Sequence, residues 1–283
     1  MIDKGQMLSR HDFSKVNWGI LAAAALLLTI GGALLMLPLM SNMEERGILT
    51  LLQTGAVTIL LACILLALRH VLRPTQTYRL YEHGVRVFNS HNHQERFIPF
   101  EKIVDIYRIR SVPLLGNLCG GLCEAMAFRT AADQPWCTVF SNVSHAWALR
   151  DTIINQQILL RGPVALNALY QGEELAFNYI AGRTRWLTWL LGSRLRHLPG
   201  QTLRLSAKTL VTPQGDIAIE QIRSLDSQPQ HGVIHLLDSQ GQTLATLRYY
   251  SLLSADLFTA LLEHMINNRI PAYRNSAMTR PLI

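Results

Sequence analysis

Val16–Met43 contains no Asp, Glu, Lys or Arg, and neither does Gly47–Leu68. Each run exceeds the roughly 20 residues that a helix needs to cross a bilayer. The short acidic turn Ser41–Arg46 between them makes the pair a transmembrane hairpin, 16–68. Hydrocarbon offers no water to exposed peptide groups, so both spans are expected to be helical, with the rest of the chain delivered to one side. A second span follows the first at once and no A-x-A-like site lies between, which argues against a cleaved signal peptide. Trp18 falls where an indole meets headgroups, and Pro38 is placed to loosen or end the first helix. Gly31-Gly32 and Gly55-Ala56 are small enough to let the helices approach closely.

Loop charge sets the expected orientation. The opening residues carry Lys4, Arg10 and Lys15, and Arg69, Arg73 and Arg79 follow the second span, whereas the hairpin turn holds one basic residue, Arg46. The positive-inside rule then puts both termini in the cytoplasm of a bacterial inner membrane, with 1–15 as a cytoplasmic tail. Residues 1–47 sum to zero, so the net charge of +7 belongs to the part after the hairpin, a balance suited to an anionic leaflet. No nucleic-acid motif or dense Lys/Arg cluster is present, and nucleic acid is not an expected partner. Cys63 lies in the second span, leaving Cys119, Cys123 and Cys137 as an odd set suited to a reducing compartment.

From Tyr78 the pattern changes to short alternating segments, the mark of half-buried strands. Tyr78–Tyr81, Val85–Phe88, Arg96–Phe100 and Ile103–Ile109 read as four strands; Glu124–Arg129 and Trp136–Phe140 follow a Gly- and Leu-rich loop, and a helix is expected from about Ser144 to Leu160. The order then recurs. Leu203–Ser206 echoes Tyr78–Tyr81, an offset of 125 from 78 to 203, and Ile217–Ile222 echoes Ile98–Ile103, an offset of 119 from 98 to 217. The two copies therefore differ by six residues in the intervening turn. Between them Val164–Tyr170 reads as a short helix and Glu173–Ile180 as the second copy's opening strand. Gly232–Leu237 and Thr243–Tyr249 add strands. A final helix, capped by Ser254 with Asp256 in its first turn, sets Leu257, Phe258, Leu261, Leu262 and Met265 on one face. The expected domains are 76–160 and 164–269, with 270–283 a flexible tail.

Two rounds of short antiparallel strands closed by a helix resemble pleckstrin-homology (PH)-type domains. The segments Tyr78–Val85, Ile98–Ile103 and Gly172–Phe177 more specifically resemble poorly characterised bacterial inner-membrane proteins that carry a transmembrane pair and tandem PH-like cytoplasmic domains. The expected fold class is thus a membrane α-helical hairpin plus two α+β PH-like domains, mainly antiparallel β with a C-terminal helix. The resemblance implies modules that bind proteins or membrane surfaces, and the Trp-rich stretch after Ile180 departs from it as an insertion.

Catalytic signatures are missing: the sequence has no P-loop, no G-x-S-x-G and no H-E-x-x-H. His91-Asn-His93 falls in an expected turn, Cys119-Gly-Gly-Leu-Cys123 lacks a second ligand pair, and Glu101 and Glu220 read as repeated strand-end residues; no metal and no cofactor is expected. The candidate contact surface is Arg183, Arg185, Trp186, Trp189, Arg194 and Arg196, tryptophans in an apolar centre with basic flanks. Such residues suit membrane lipids, a protein partner, or burial in a core. The expected role is non-enzymatic: binding or scaffolding a partner at the membrane. Immunity against a membrane-active toxin and an accessory subunit of an envelope or transport complex are the alternatives.

Overall fold

The computed structural model describes residues 4–12, 18–40, 45–71, 76–90, 93–110, 124–140, 143–180, 201–228 and 232–268. Two apolar helices, α1 (Trp18–Met40) and α2 (Glu45–Val71), are each long enough to cross a membrane. They pack antiparallel. A Cβ on Gly31 would sit 2.7 Å from Ile59 Cγ1 and 3.2 Å from the Gly55 carbonyl, and one on Gly55 would sit 2.9 Å from Leu35, so the two helices pack closely at these glycines. Gly32 has open space around it and takes no part. Helix α1 continues through Pro38 to Met40.

The first half is a four-stranded antiparallel meander in which β1 (Met7–His11), β2 (Gln76–Tyr81), β3 (Gly84–Asn89) and β4 (Gln94–Pro99) follow in order. A 3-10 turn, Phe100–Lys102, leads to a second meander of β5 (Asp105–Arg110), β6 (Glu124–Arg129) and β7 (Cys137–Phe140). Alternation decides which face is buried: Tyr78, Leu80, Val85, Val87 and Ile98 point into the core with Phe100, Ile106, Met126 and Phe128. Gly84 lies against β4, where a Cβ would come within 2.4 Å of the Ile98 carbonyl, so this hairpin admits no side chain there.

Two sequence expectations change in this half. Residues 1–15 are not merely a polar tail, because Met7–His11 pairs with β2, His11 opposite Tyr78. His11 is buried, with Nδ1 2.8 Å from the Ser144 carbonyl and Nε2 2.7 Å from Ser9 Oγ. The helix expected to stop near Leu160 instead runs unbroken as α3 (Ala146–Tyr170) through Gly162 and Pro163. Its N-terminal part packs Leu149, Ile153 and Ile154 into the first core, and Leu166 and Leu169 pack into the second. A Pro in a helix interior costs about 3 kcal/mol locally, and burial at both ends of α3 outweighs it. The boundary between 160 and 164 therefore falls inside one shared helix.

The second half repeats the first. Strands β8 (Leu175–Tyr179), β9 (Gln201–Leu205), β10 (Thr209–Thr212) and β11 (Gly215–Ala218) form a four-stranded meander, and a 3-10 turn at Ile219–Gln221 matches Phe100–Lys102. A three-stranded meander, β12 (Ser224–Gln228), β13 (Val233–Leu237) and β14 (Thr243–Arg248), precedes a 3-10 turn and α4 (Ala255–Asn268). The six-residue difference lies in the hairpin between the third and fourth strands, which is shorter at both strands and at the turn. Both closing helices are entered through a left-handed residue, His145 at φ 50° and Ser254 at φ 51°. Leu257, Phe258, Leu261, Leu262 and Met265 are buried on one face of α4 as the spacing predicts.

Candidate functional site

Arg183, Arg185, Trp186, Trp189, Arg194 and Arg196 lie outside the described residues, as do His91, Cys119, Cys123 and the tail 270–283. What the structure supplies is the frame from which 181–200 departs. That segment joins β8 to β9, the first two strands of the second half, and the matching connection of the first half, from β1 to β2, is the one that contains α1 and α2. The two halves thus carry their longest apolar insertions in the same connection.

Ile180, at the root of the segment, is buried where the halves meet, against Tyr107, Ala127 and Leu253, with Trp136 beside them. Its N–H donates to the Ser251 carbonyl at 2.7 Å, and the Leu253 N–H donates to the Asn178 carbonyl at 2.9 Å. The first half fastens its own strand the same way, the Ser144 N–H donating to the Asp12 carbonyl at 2.8 Å.

Polar groups lock the junction. The Ser254 N–H donates to the Ile106 carbonyl at 2.6 Å, and Ser254 Oγ accepts from the Ile106 N–H and from Gln157 Nε2, each at 3.1 Å. Ser254 was expected to cap α4; its carbonyl does accept the Phe258 N–H, but its hydroxyl serves β5 of the other half. Nearby, Arg108 Nη1 of β5 donates to Tyr249 Oη at 2.9 Å and to Asp256 Oδ1 at 3.2 Å, while Tyr249 donates to the same carboxylate oxygen. Burial raises the Tyr249 hydroxyl far above the ordinary tyrosine value, with the Asp256 charge acting in the same direction. Asp105 meets Arg129 at 2.6 Å, and that guanidinium lies 4.5 Å from the centre of the Trp136 ring. A cavity of about 190 Å³ opens between α3 and β8, bordered by Val164, Ala168, Phe177 and Leu257 with Asp105 and Arg161 at its polar side.

Of these junction residues only Ser254 and Asp256 were singled out in the sequence, as the cap and the first-turn acid of the final helix rather than as contacts between the halves. The available signal was charge within otherwise apolar strands, Asp105 and Arg108 in β5 and Arg129 in β6, which strand ends and solvent-facing positions also explain. The remaining reactive groups are quiet. Burial pushes the Cys137 thiol up to about 11, so it is a neutral core side chain. Glu101 and Glu220 occupy matching exposed sites in the two 3-10 turns. Among the described residues no cluster of His, Cys, Asp and Glu could hold a metal ion. Comparison with protein-family profiles, with curated proteins and with solved structures finds no match to this chain.

Proposed function

We propose that this chain is a non-enzymatic membrane protein whose hairpin holds two PH-like modules at the cytoplasmic face of a bacterial inner membrane, where they bind or scaffold a protein partner. The observation that carries this is the shared connection. In the first half, the link between the first two strands holds two apolar helices; in the second, the same link holds Trp186 and Trp189 among Arg183, Arg185, Arg194 and Arg196. Tryptophan and arginine are the residue types favoured in contact hot spots and at headgroup level. The pairing of β1 with β2 supports an even number of crossings, since one strand precedes α1 and the other follows α2.

Crosslinking and affinity capture of the full chain from membranes, beside the double variant Trp186→Ala/Trp189→Ala, tests the role. A defined partner captured by the wild type and lost from the variant supports it; identical capture by both removes these tryptophans as the contact. Alkaline phosphatase fused after Ile283 is expected to be inactive, and fused within Glu44–Arg46 active. The opposite pattern would reverse the assigned sidedness.

A further inference from the structure

The four-stranded sheet of each half turns one face to its core and the other outward. On the outward face of the first sheet, Arg10 of β1 lies opposite Arg79 of β2, Arg79 lies opposite Arg86 of β3, and Phe97 of β4 completes the row. Neighbouring strands are only about 4.8 Å apart, and like charges placed directly across from one another are unfavourable. Two of the three cations are compensated: Arg10 Nε is 2.6 Å from Asp12, and Arg86 Nη1 is 3.0 Å from Glu95. Arg79, in the middle and exposed, has no carboxylate partner among the described residues. A cavity of about 410 Å³ opens over it, bounded by Arg10 and Arg79, the two carboxylates, and Thr77, Phe88 and Ser90.

The second half is a built-in comparison. The same row there reads Ala176, Arg204, Val211 and Asp216, a single arginine with no like-charged neighbour and an acid in line with it. The fold therefore does not require three cations at these positions. The row is also tethered close to the apolar helices, since Arg10 stands eight residues before Trp18 and Arg79 eight after Val71. Eight extended residues reach at most about 28 Å. The linking sequences 13–17 and 72–75 add Lys15 and Arg73 and contain no Asp or Glu, so they bring no internal counter-charge.

We propose that Arg10 and Arg79, which border this cavity, with Arg86 adding its charge from the neighbouring strand, form a binding site for a phosphate-bearing anion, supplied either by an anionic lipid headgroup or by a free phosphate compound. Guanidinium forks match phosphate oxygens in pairs. Asp12 and Glu95 hold the outer arginines, and the anion relieves the repulsion that the central one otherwise feels. This proposal stands on the first sheet alone and is independent of the role of 181–200.

Full-length protein in neutral detergent is compared with Arg79→Gln and with Arg204→Gln, its counterpart in the second half. Two probes separate the sources: phosphatidylglycerol against phosphatidylcholine, with retained lipid counted by native mass spectrometry, and inorganic phosphate or pyrophosphate against chloride at matched ionic strength, read as a shift in Tm. Wild type and Arg204→Gln should bind alike, and Arg79→Gln should bind about tenfold more weakly. Dependence on Arg79 with phosphatidylglycerol alone identifies a headgroup; dependence with inorganic phosphate as well identifies the phosphate group itself, open to soluble compounds. In chloride alone Arg79→Gln should melt at or above the wild-type Tm, because one repulsion has gone. Equal binding by Arg79→Gln and wild type, equal losses in the two variants, or an Arg79→Gln Tm well below wild type in chloride would each overturn the proposal.

Discussion

Ser254 concentrates the junction between the halves into one side chain, and replacing it separates two effects by sign. Ser254→Ala removes the acceptor of the buried Ile106 N–H and one of the acceptors of Gln157 Nε2, which keeps the Val104 carbonyl at 3.0 Å. A buried donor left without a partner costs about 1–3 kcal/mol. Alanine also keeps the left-handed backbone, φ 51°, that Ser254 occupies. Ser254→Gly loses the same hydroxyl but relieves that conformation, which costs a non-glycine residue about 1 kcal/mol. The expected order is wild type, then glycine, then alanine, with alanine about 2–3 kcal/mol below wild type and glycine about 1 kcal/mol better than alanine. For a soluble part of this size 1 kcal/mol is about 2–4 °C, so alanine should lower the Tm of the detergent-solubilised chain by roughly 4–12 °C. Hydrogen exchange should accelerate in the peptide that covers Asp105–Arg110. An alanine variant that melts with wild type, or a glycine variant that melts below alanine, would refute the assignment of the hydroxyl and of the strain respectively.

Three further outcomes are expected. Asp105→Ala leaves the buried Arg129 guanidinium without its carboxylate, keeping the Ala132 carbonyl at 2.8 Å and the Trp136 ring, and should destabilise by about 3–5 kcal/mol, whereas an apolar pair at both positions should lose far less; a double-mutant cycle in denaturant measures the difference. Stability should fall as pH rises from 9 to 11, because the unfolded Cys137 thiol releases its proton near its ordinary value while the folded one holds it up to about 11; the loss is up to about 2–3 kcal/mol, and Tm against pH should be flatter in Cys137→Ala. Gly55→Leu should part the two apolar helices, at about 1–3 kcal/mol, while Gly32→Leu, with open space around it, should melt like wild type in phosphatidylcholine nanodiscs.

The apolar helices were legible because charge is absent over a length nothing else explains, and α4 was legible because five large side chains share one helical face. Glu124–Arg129 emerged as read for a similar reason: its short apolar run, Ala125–Phe128, is bounded by charged residues on either side. Strand β1 was hidden because its partner lies beyond the whole hairpin and His11 is its one buried residue, so nothing nearby marks Met7–His11 as half of a ladder. The continuity of α3 was hidden because Gly162-Pro163 is a local stop signal, and the burial that overrides it comes from two different cores. Ser254 was seen as a cap, which its backbone is, but the use of its hydroxyl depends on a strand almost 150 residues away. Local preferences were readable; their tertiary competitors were not.

The duplication also separates fold from function without an alignment. What recurs between the halves serves the shared architecture: the left-handed residue before each helix, the 3-10 turn after each fourth strand, and the clamp from Ser144 to Asp12 and from Leu253 to Asn178. What differs at equivalent places is free of that duty. Arg10 and Arg86 stand where the second half has Ala176 and Val211, on either side of an arginine that both halves keep (Arg79 and Arg204), and two apolar helices stand where it has a single segment rich in tryptophan and arginine. Both departures lie on the first two strands of their halves or on the link between those strands, or on the sheet face beside them. A selected surface should cluster in this way, whereas neutral drift would scatter its differences over every loop. Arg10→Ala with Arg86→Val, the exchange for their counterparts in the second half, should therefore leave the fold intact and weaken anion binding, and the reverse exchange, Ala176→Arg with Val211→Arg, should install an anion site on the second sheet.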